Sequence, residues 1–187
     1  MPVDQRALAS TLQMLLNTMD VELAPDDRAL VRHLDRVIEV ARDVLQVDGV
    51  GLMLLDEDDR LRVVGASDAV GAALERGQQQ LGVGPAIDCV RSAAEVAVPD
   101  LAGRAEYAAL WRWLTEEAGG APAVRAVLSI PVRAGGRVVG TLNALRSEPE
   151  RWGAEHVGAV GAYAGIIGVL LRLGARSGQG MESPAAG

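Results

Sequence analysis

The chain contains no lysine and no phenylalanine, one cysteine (Cys89) and two histidines (His33 and His156) among 187 residues. Each shortage removes chemistry. All 18 basic side chains are arginine. Arginine stays protonated, so neither a Schiff-base amine nor a P-loop lysine is available. One cysteine allows no internal disulfide, no cysteine-based zinc cluster and no dithiol pair. The histidines are far apart, and neither has a second histidine or cysteine at ligand spacing. Aromatic residues make up 3%, too few for the stacking platforms that hold single-stranded nucleic acid. The formal charge of −7 opposes contact with nucleic acid and anionic membranes. The N-terminus lacks a basic segment followed by an apolar one, so no signal peptide is expected. The longest membrane-like uncharged run, Val157–Leu171, falls short of the roughly 20 residues needed to span. We therefore expect a cytoplasmic protein with no cofactor, no metal, no direct nucleic-acid contact and no membrane association.

What is present suffices for one domain: 49% of residues are apolar. Leu8, Leu12, Leu15, Leu16 and Met19 recur at helical spacing, so residues 1–25 are read as an amphipathic helix. Asp26 or Asp27 caps a second helix over about 28–46, apolar along Leu30, Leu34, Val37, Ile38, Ala41, Val44 and Leu45. Val50–Leu55 and Leu61–Ala66 read as a hairpin around the acidic turn Asp56–Asp59. Residues 68–80 are helical or irregular. After the break at Gly82–Pro85 come a short helix over Ile87–Ala94, a short strand over Glu95–Val98 and a helix over Glu106–Glu117. Ala126–Arg133 and Arg137–Leu145 flank Gly135-Gly136 and form the clearest hairpin. A long helix over Ala154–Leu173 follows. Residues 174–187, small and polar, are expected to form a disordered tail. Tight turns make paired strands antiparallel, so the fold class is α+β.

Four stretches could carry function, and each has two open readings. Gly158, Gly161, Gly165 and Gly168 cost the last helix up to about 1 kcal/mol each relative to alanine. Close packing must compensate, either on the domain's own sheet or against a second helix in a dimer. Asp88 and Cys89 follow the Gly84-Pro85 break, where the chain suits a cavity border better than a packed core. Cys89 is either a small buried hydrophobe or a redox or chromophore-attachment thiol. Tyr107, Trp111 and Leu114 share a helix face, as a core stripe or a pocket lid. Ser129, Thr141 and Asn143 alternate with apolar residues on the last hairpin, lining either a small wet cavity or an exposed sheet face. The candidate ligand-binding set is therefore Asp88, Cys89, Tyr107, Trp111, Leu114, Ser129, Thr141 and Asn143. His33 and His156 read as surface or capping residues. Asp56–Asp59 lacks the glycine and terminal glutamate of an EF-hand and reads as a solvated turn. No GxSxG, HExxH or GxGxxG pattern occurs.

The order VDGVGLMLLDED, LRVVGAS, GVGPAIDCVRSAAEVAVPDL, AVLSIPVRAGGRVVGTLNALR and a long last helix resembles the GAF domain family over roughly 28–173. It is most similar to the actinobacterial GAF domains that precede an RNA-binding ANTAR output domain. Val96–Leu101 and Val138–Asn143 match their motifs. The Gly-Pro-Cys motif departs, with Ala86 where cysteine is common and Cys89 three residues later. The resemblance implies an antiparallel sheet of five to six strands. N- and C-terminal helices would cover one face and mediate a homodimer. A helical segment over about 70–120 would cover a ligand pocket on the other. With the GAF domain at 26–173 and only a short tail after it, the ANTAR output is expected to be missing. The relatives that reduce methionine sulfoxide use several cysteines, bilin attachment uses a cysteine usually followed by histidine, and Cys89 is followed by Val90. These comparisons imply a non-catalytic sensory domain that binds a small molecule and signals through its dimer face to a regulatory partner protein. Two alternatives remain: a ligand-free interaction module with a collapsed pocket, and a Cys89-based redox sensor.

Overall fold

The computed structural model describes residues 27–116 and 124–179. The helix expected over residues 1–25 lies outside them, as do the last residues of the expected tail. Helix α1 (Asp27–Leu45) leads into strands β1 (Gly49–Leu55) and β2 (Leu61–Ala66), then helices α2 (Ala69–Leu81) and α3 (Pro85–Ser92). Strand β3 (Val96–Val98), two 3₁₀ turns and helix α4 (Ala108–Glu116) follow. The hairpin β4 (Ala126–Ala134) and β5 (Arg137–Arg146) and helix α5 (Ala154–Gln179) complete the domain. The strands form one antiparallel sheet in the order β2-β1-β5-β4-β3.

Strand alternation divides the interior into two faces. Leu128, Ile130, Val132, Leu142 and Ala144 pack on one side with the apolar faces of α1 and α5. Val127 and Leu145 face the other side, with Leu74 of α2 and Leu110 and Leu114 of α4. Both glycines of the β4–β5 turn have positive φ, 59° at Gly135 and 83° at Gly136. A two-residue turn with that conformation matches the twist of its strands and disfavours side chains.

The ambiguous segment over 68–80 is a full helix. The Asp68 carboxylate accepts from the backbone N–H groups of Val70 and Gly71, both at 2.8 Å. Ser67 in turn donates to Asp68 and accepts from Val50 N–H, tying the cap to β1. A cap satisfies otherwise orphan amides at a helix start. Gly82 ends the helix at φ 63°.

The last helix continues through Gln179. It therefore extends into the segment assigned from residue 174 to a disordered tail. Its stretch Ala154–Gly174 is 21 residues long with mean hydropathy 1.7, enough by length and composition to cross a membrane. The uncharged run within it, Val157–Leu171, is shorter than a span. Ala159, Val160, Tyr163, Ala164, Ile167 and Leu170 are buried in the shared α1–sheet core, and 39% of the apolar stretch is buried in all. Gly168 lies so close to β4 that an added Cβ would collide with the Arg133 carbonyl oxygen. Added Cβ atoms at Gly158, Gly161 and Gly165 would meet open space. Only Gly168 of these four is explained by packing within the domain.

Candidate functional site

The face of the sheet beneath α2, α3 and α4 is polar at its centre. Ser129 pairs with Asn143 across β4 and β5, and Pro131 pairs with Thr141. Ser129, Thr141 and Asn143 are all fully buried. Helix α2 places Gly71, Leu74, Glu75 and Gln78 toward the sheet, and all four are buried. Glu75 is 0% exposed and meets the polar row directly. Asn143 Nδ2 donates to both carboxyl oxygens of Glu75 at 2.9 and 3.0 Å. Gln78 Nε2 donates to Glu75 Oε2 at 3.0 Å, and Thr141 Oγ1 donates to Asn143 Oδ1 at 2.8 Å. Gln78 Oε1 accepts from Ala86 N–H at 2.8 Å, which fastens α3 to the same network.

Two glycines make room for these side chains. A Cβ on Gly51 of β1 would overlap the Glu75 carboxyl, and a Cβ on Gly84 would overlap Gln78. Burial pushes the Glu75 carboxyl up to about 8, against the opposing effect of its Asn143 and Gln78 hydrogen bonds. Glu75 is therefore mostly uncharged at neutral pH. The Cys89 thiol is 0% exposed, and burial pushes it up to about 11, although a Thr141 hydrogen bond opposes the shift. Thiolate is the reactive form of cysteine, so this setting suits packing rather than nucleophilic or redox chemistry. Ser129 Oγ has no hydrogen-bond partner among the described residues.

The cover is latched at its rim. Tyr107 O–H donates to Asp88 Oδ2 at 2.7 Å, and Asp88 Oδ1 accepts from Arg91 at 3.0 Å. This joins α3 to the turn before α4. Burial, and then the Asp88 bond, push the Tyr107 hydroxyl well above its ordinary range, so it remains a donor. Arg125 forms a two-point ion pair with Asp100 and lies 5.6 Å from the centre of the Trp111 ring. The Arg125 guanidinium beside Asp100 holds that carboxyl below the usual range.

The family model described as GAF domain matches residues 28–172. The chain belongs to the GAF domain family. Solved structures agree on the fold. The GAF domain of a Coxiella burnetii phosphoenolpyruvate-protein phosphotransferase matches with TM-score 0.70 at 14% identity, covering 94% of this chain and 99% of that one. The corresponding Acinetobacter domain matches with TM-score 0.67 at 15% identity, covering 92% and 97%. The free methionine-R-sulfoxide reductase of Neisseria meningitidis matches with TM-score 0.65 at 16% identity, covering 92% and 93%. No curated protein sequence matches significantly.

In this GAF domain the residues singled out from sequence fall into three groups. Cys89, Ser129, Thr141 and Asn143 come together in the buried interior. Asp88 and Tyr107 meet at the rim. Trp111 and Leu114 lie on α4, where the buried pair is Leu110 and Leu114 and Trp111 is half-buried beside Arg125. Tyr107 precedes α4 in a 3₁₀ turn, and it packs in one apolar cluster with Leu114, with Trp111 half-buried against them. The polar row is not an exposed sheet face, because Glu75 and Gln78 of α2 stand over it and bond to Asn143 and to each other. These two residues were missed. Their signal was the i, i+3, i+4, i+7 spacing of Gly71, Leu74, Glu75 and Gln78, which puts polar groups on a buried helix face. His156 accepts from Gly153 N–H at the start of α5, as a capping histidine does.

Proposed function

We propose that the domain is a non-catalytic sensory and regulatory unit that binds a small molecule in the polar interior. Asp88, Cys89, Tyr107, Trp111, Leu114, Ser129, Thr141 and Asn143 line or cover that site, with Glu75 and Gln78 reaching into it from α2. The observation that carries this reading is the Ser129 hydroxyl, fully buried beside the Glu75–Asn143–Thr141 chain and unpartnered among the described residues. An orphaned buried hydroxyl costs about 1–3 kcal/mol. A sheet whose only role is packing does better with an apolar residue there. A ligand that bonds Ser129 and exchanges bonds with Asn143 removes that cost. Insertion releases the Tyr107–Asp88 latch and moves α3 and α4.

The signal leaves through the opposite face. Helices α1 and α5 pack together there, and Gly158, Gly161 and Gly165 leave α5 open to close approach. We propose a cytoplasmic homodimer through these helices, read by a regulatory partner protein. The Val96–Leu101 and Val138–Asn143 motifs support grouping it with GAF domains that govern an ANTAR output and with transcription regulation. A second reading is a dimeric interaction module without a ligand, favoured by the space that Glu75 and Gln78 already fill.

Native mass spectrometry, with thermal shifts across a metabolite panel, tests both readings. A bound or stabilising compound whose effect is lost in Ser129→Ala supports the sensory reading. Trp111→Ala abolishes ligand shifts under that reading and only lowers stability under the second. Absence of any compound in wild-type protein, with a dimer retained, establishes the second.

A further inference from the structure

A separate groove of about 530 Å³ runs along the outer edge of the sheet, between β2 and the α2–α3 connection. Its volume lies within the range of small-molecule sites, about 300–1,000 Å³. Leu61, Ile87 and Val90 supply an apolar floor continuous with the small cluster around Met53 and Ala86. Arg60, Arg62 and Arg91 stand around it. We propose that this groove binds a small amphipathic monocarboxylate, its apolar body on the floor and its carboxylate on Arg60.

The charge arrangement selects this ligand. Arg62 pairs with Asp56 at 2.6 Å and Arg91 pairs with Asp88 at 3.0 Å. Arg60 makes no ion pair among the described residues, so none of their carboxylates occupies its guanidinium fork. Asp59 also lines the groove and adds a negative charge, which disfavours a dianion. The wall is held in place before binding. The Asp56 carboxylate accepts from Asp58 N–H, Arg60 N–H and Arg62 Nε, which fixes the turn that carries Arg60. Gln79 Oε1 accepts Val63 N–H at 2.8 Å. That bond occupies a ladder donor on the outer edge of β2 and works against an added peptide strand. Helix α2 presents Gln79 to this groove and Glu75 and Gln78 to the interior, so it borders both sites.

Isothermal titration of the full chain with octanoate tests the proposal, beside 1-octanol and octylamine as neutral and cationic analogues. The expected result is saturable octanoate binding, at least ~10-fold weaker for 1-octanol and for Arg60→Glu, with no detectable octylamine binding. Arg60→Gln serves as the neutral variant and gives an intermediate loss. Amide NMR shifts place the ligand: the proposal expects them at Leu61, Ile87 and Val90. Equal binding of 1-octanol, unchanged affinity in Arg60→Glu, or no saturable octanoate binding overturns it. Shifts confined to Ser129, Thr141 and Asn143 also overturn it, while leaving the interior site in place.

Discussion

Glu75 is the residue on which the interior turns. Its folded carboxyl, at about 8, lies above the ordinary value of 4.5. Over that window the folded state holds a proton that the unfolded chain has released. The Glu75 contribution is therefore complete below about 4.5 and is lost as pH rises through about 8. Chemical denaturation from pH 5 to 9 is expected to show stability falling, and Glu75→Gln is expected to flatten the fall. An unchanged slope in that variant contradicts the assignment. Gly51 is the complementary test. Gly51→Ala forces a methyl group into the Glu75 carboxyl and is expected to cost about 1–3 kcal/mol, measured by urea unfolding. Gly51 and Glu75 lie on different elements, so neither residue reveals the other in the sequence. The glycine reads as a turn residue or a weak strand position until the helix is laid over it.

At the scale of elements, helix α5 supplies a contrast within one stretch of chain. Gly161→Ala meets open space and is expected to stabilise by up to about 1 kcal/mol through helix propensity. Gly168→Ala collides with a backbone carbonyl of β4, which cannot move without disturbing the sheet. It is expected to destabilise despite the same gain in propensity. Thermal melts of the two variants have opposite signs if the packing is as described. The strands, α1 and the β4–β5 turn were legible in sequence because alternation, the α1 apolar stripe and Gly135-Gly136 are local signals. Helix α2 was not. Its apolar face is interrupted by Gly71, Glu75 and Gln78, and its strong Asp68 cap acts through Ser67 and β1. The 3₁₀ turns at Leu101–Gly103 and Ala105–Tyr107 were not legible either, because they are short and carry no periodic signal.

At the scale of the whole molecule, one sheet separates two unlike halves. The α1–α5 side is an apolar core, and the α2–α4 side encloses a polar network. The proposed dimer belongs to the first side. Gly165→Arg places a long charged side chain over the open stretch of α5 and is expected to convert a dimer to monomers in analytical ultracentrifugation, with helicity retained. A dimer that survives this change uses another surface.

The sequence alone determined the α+β class, the antiparallel hairpins, the resemblance to GAF domains and the narrowing of chemistry that follows from lacking lysine and having one cysteine. These depend on local periodicity, turn residues and the presence or absence of reactive groups. Only the tertiary structure decided what stands above the polar row, which face of α5 is open and where Arg60 lies. Burial, orphaned hydrogen bonds and raised carboxyl pKa values arise when distant segments exclude water together. Asn143 and Glu75, 68 positions apart, acquire their shared properties only at that stage.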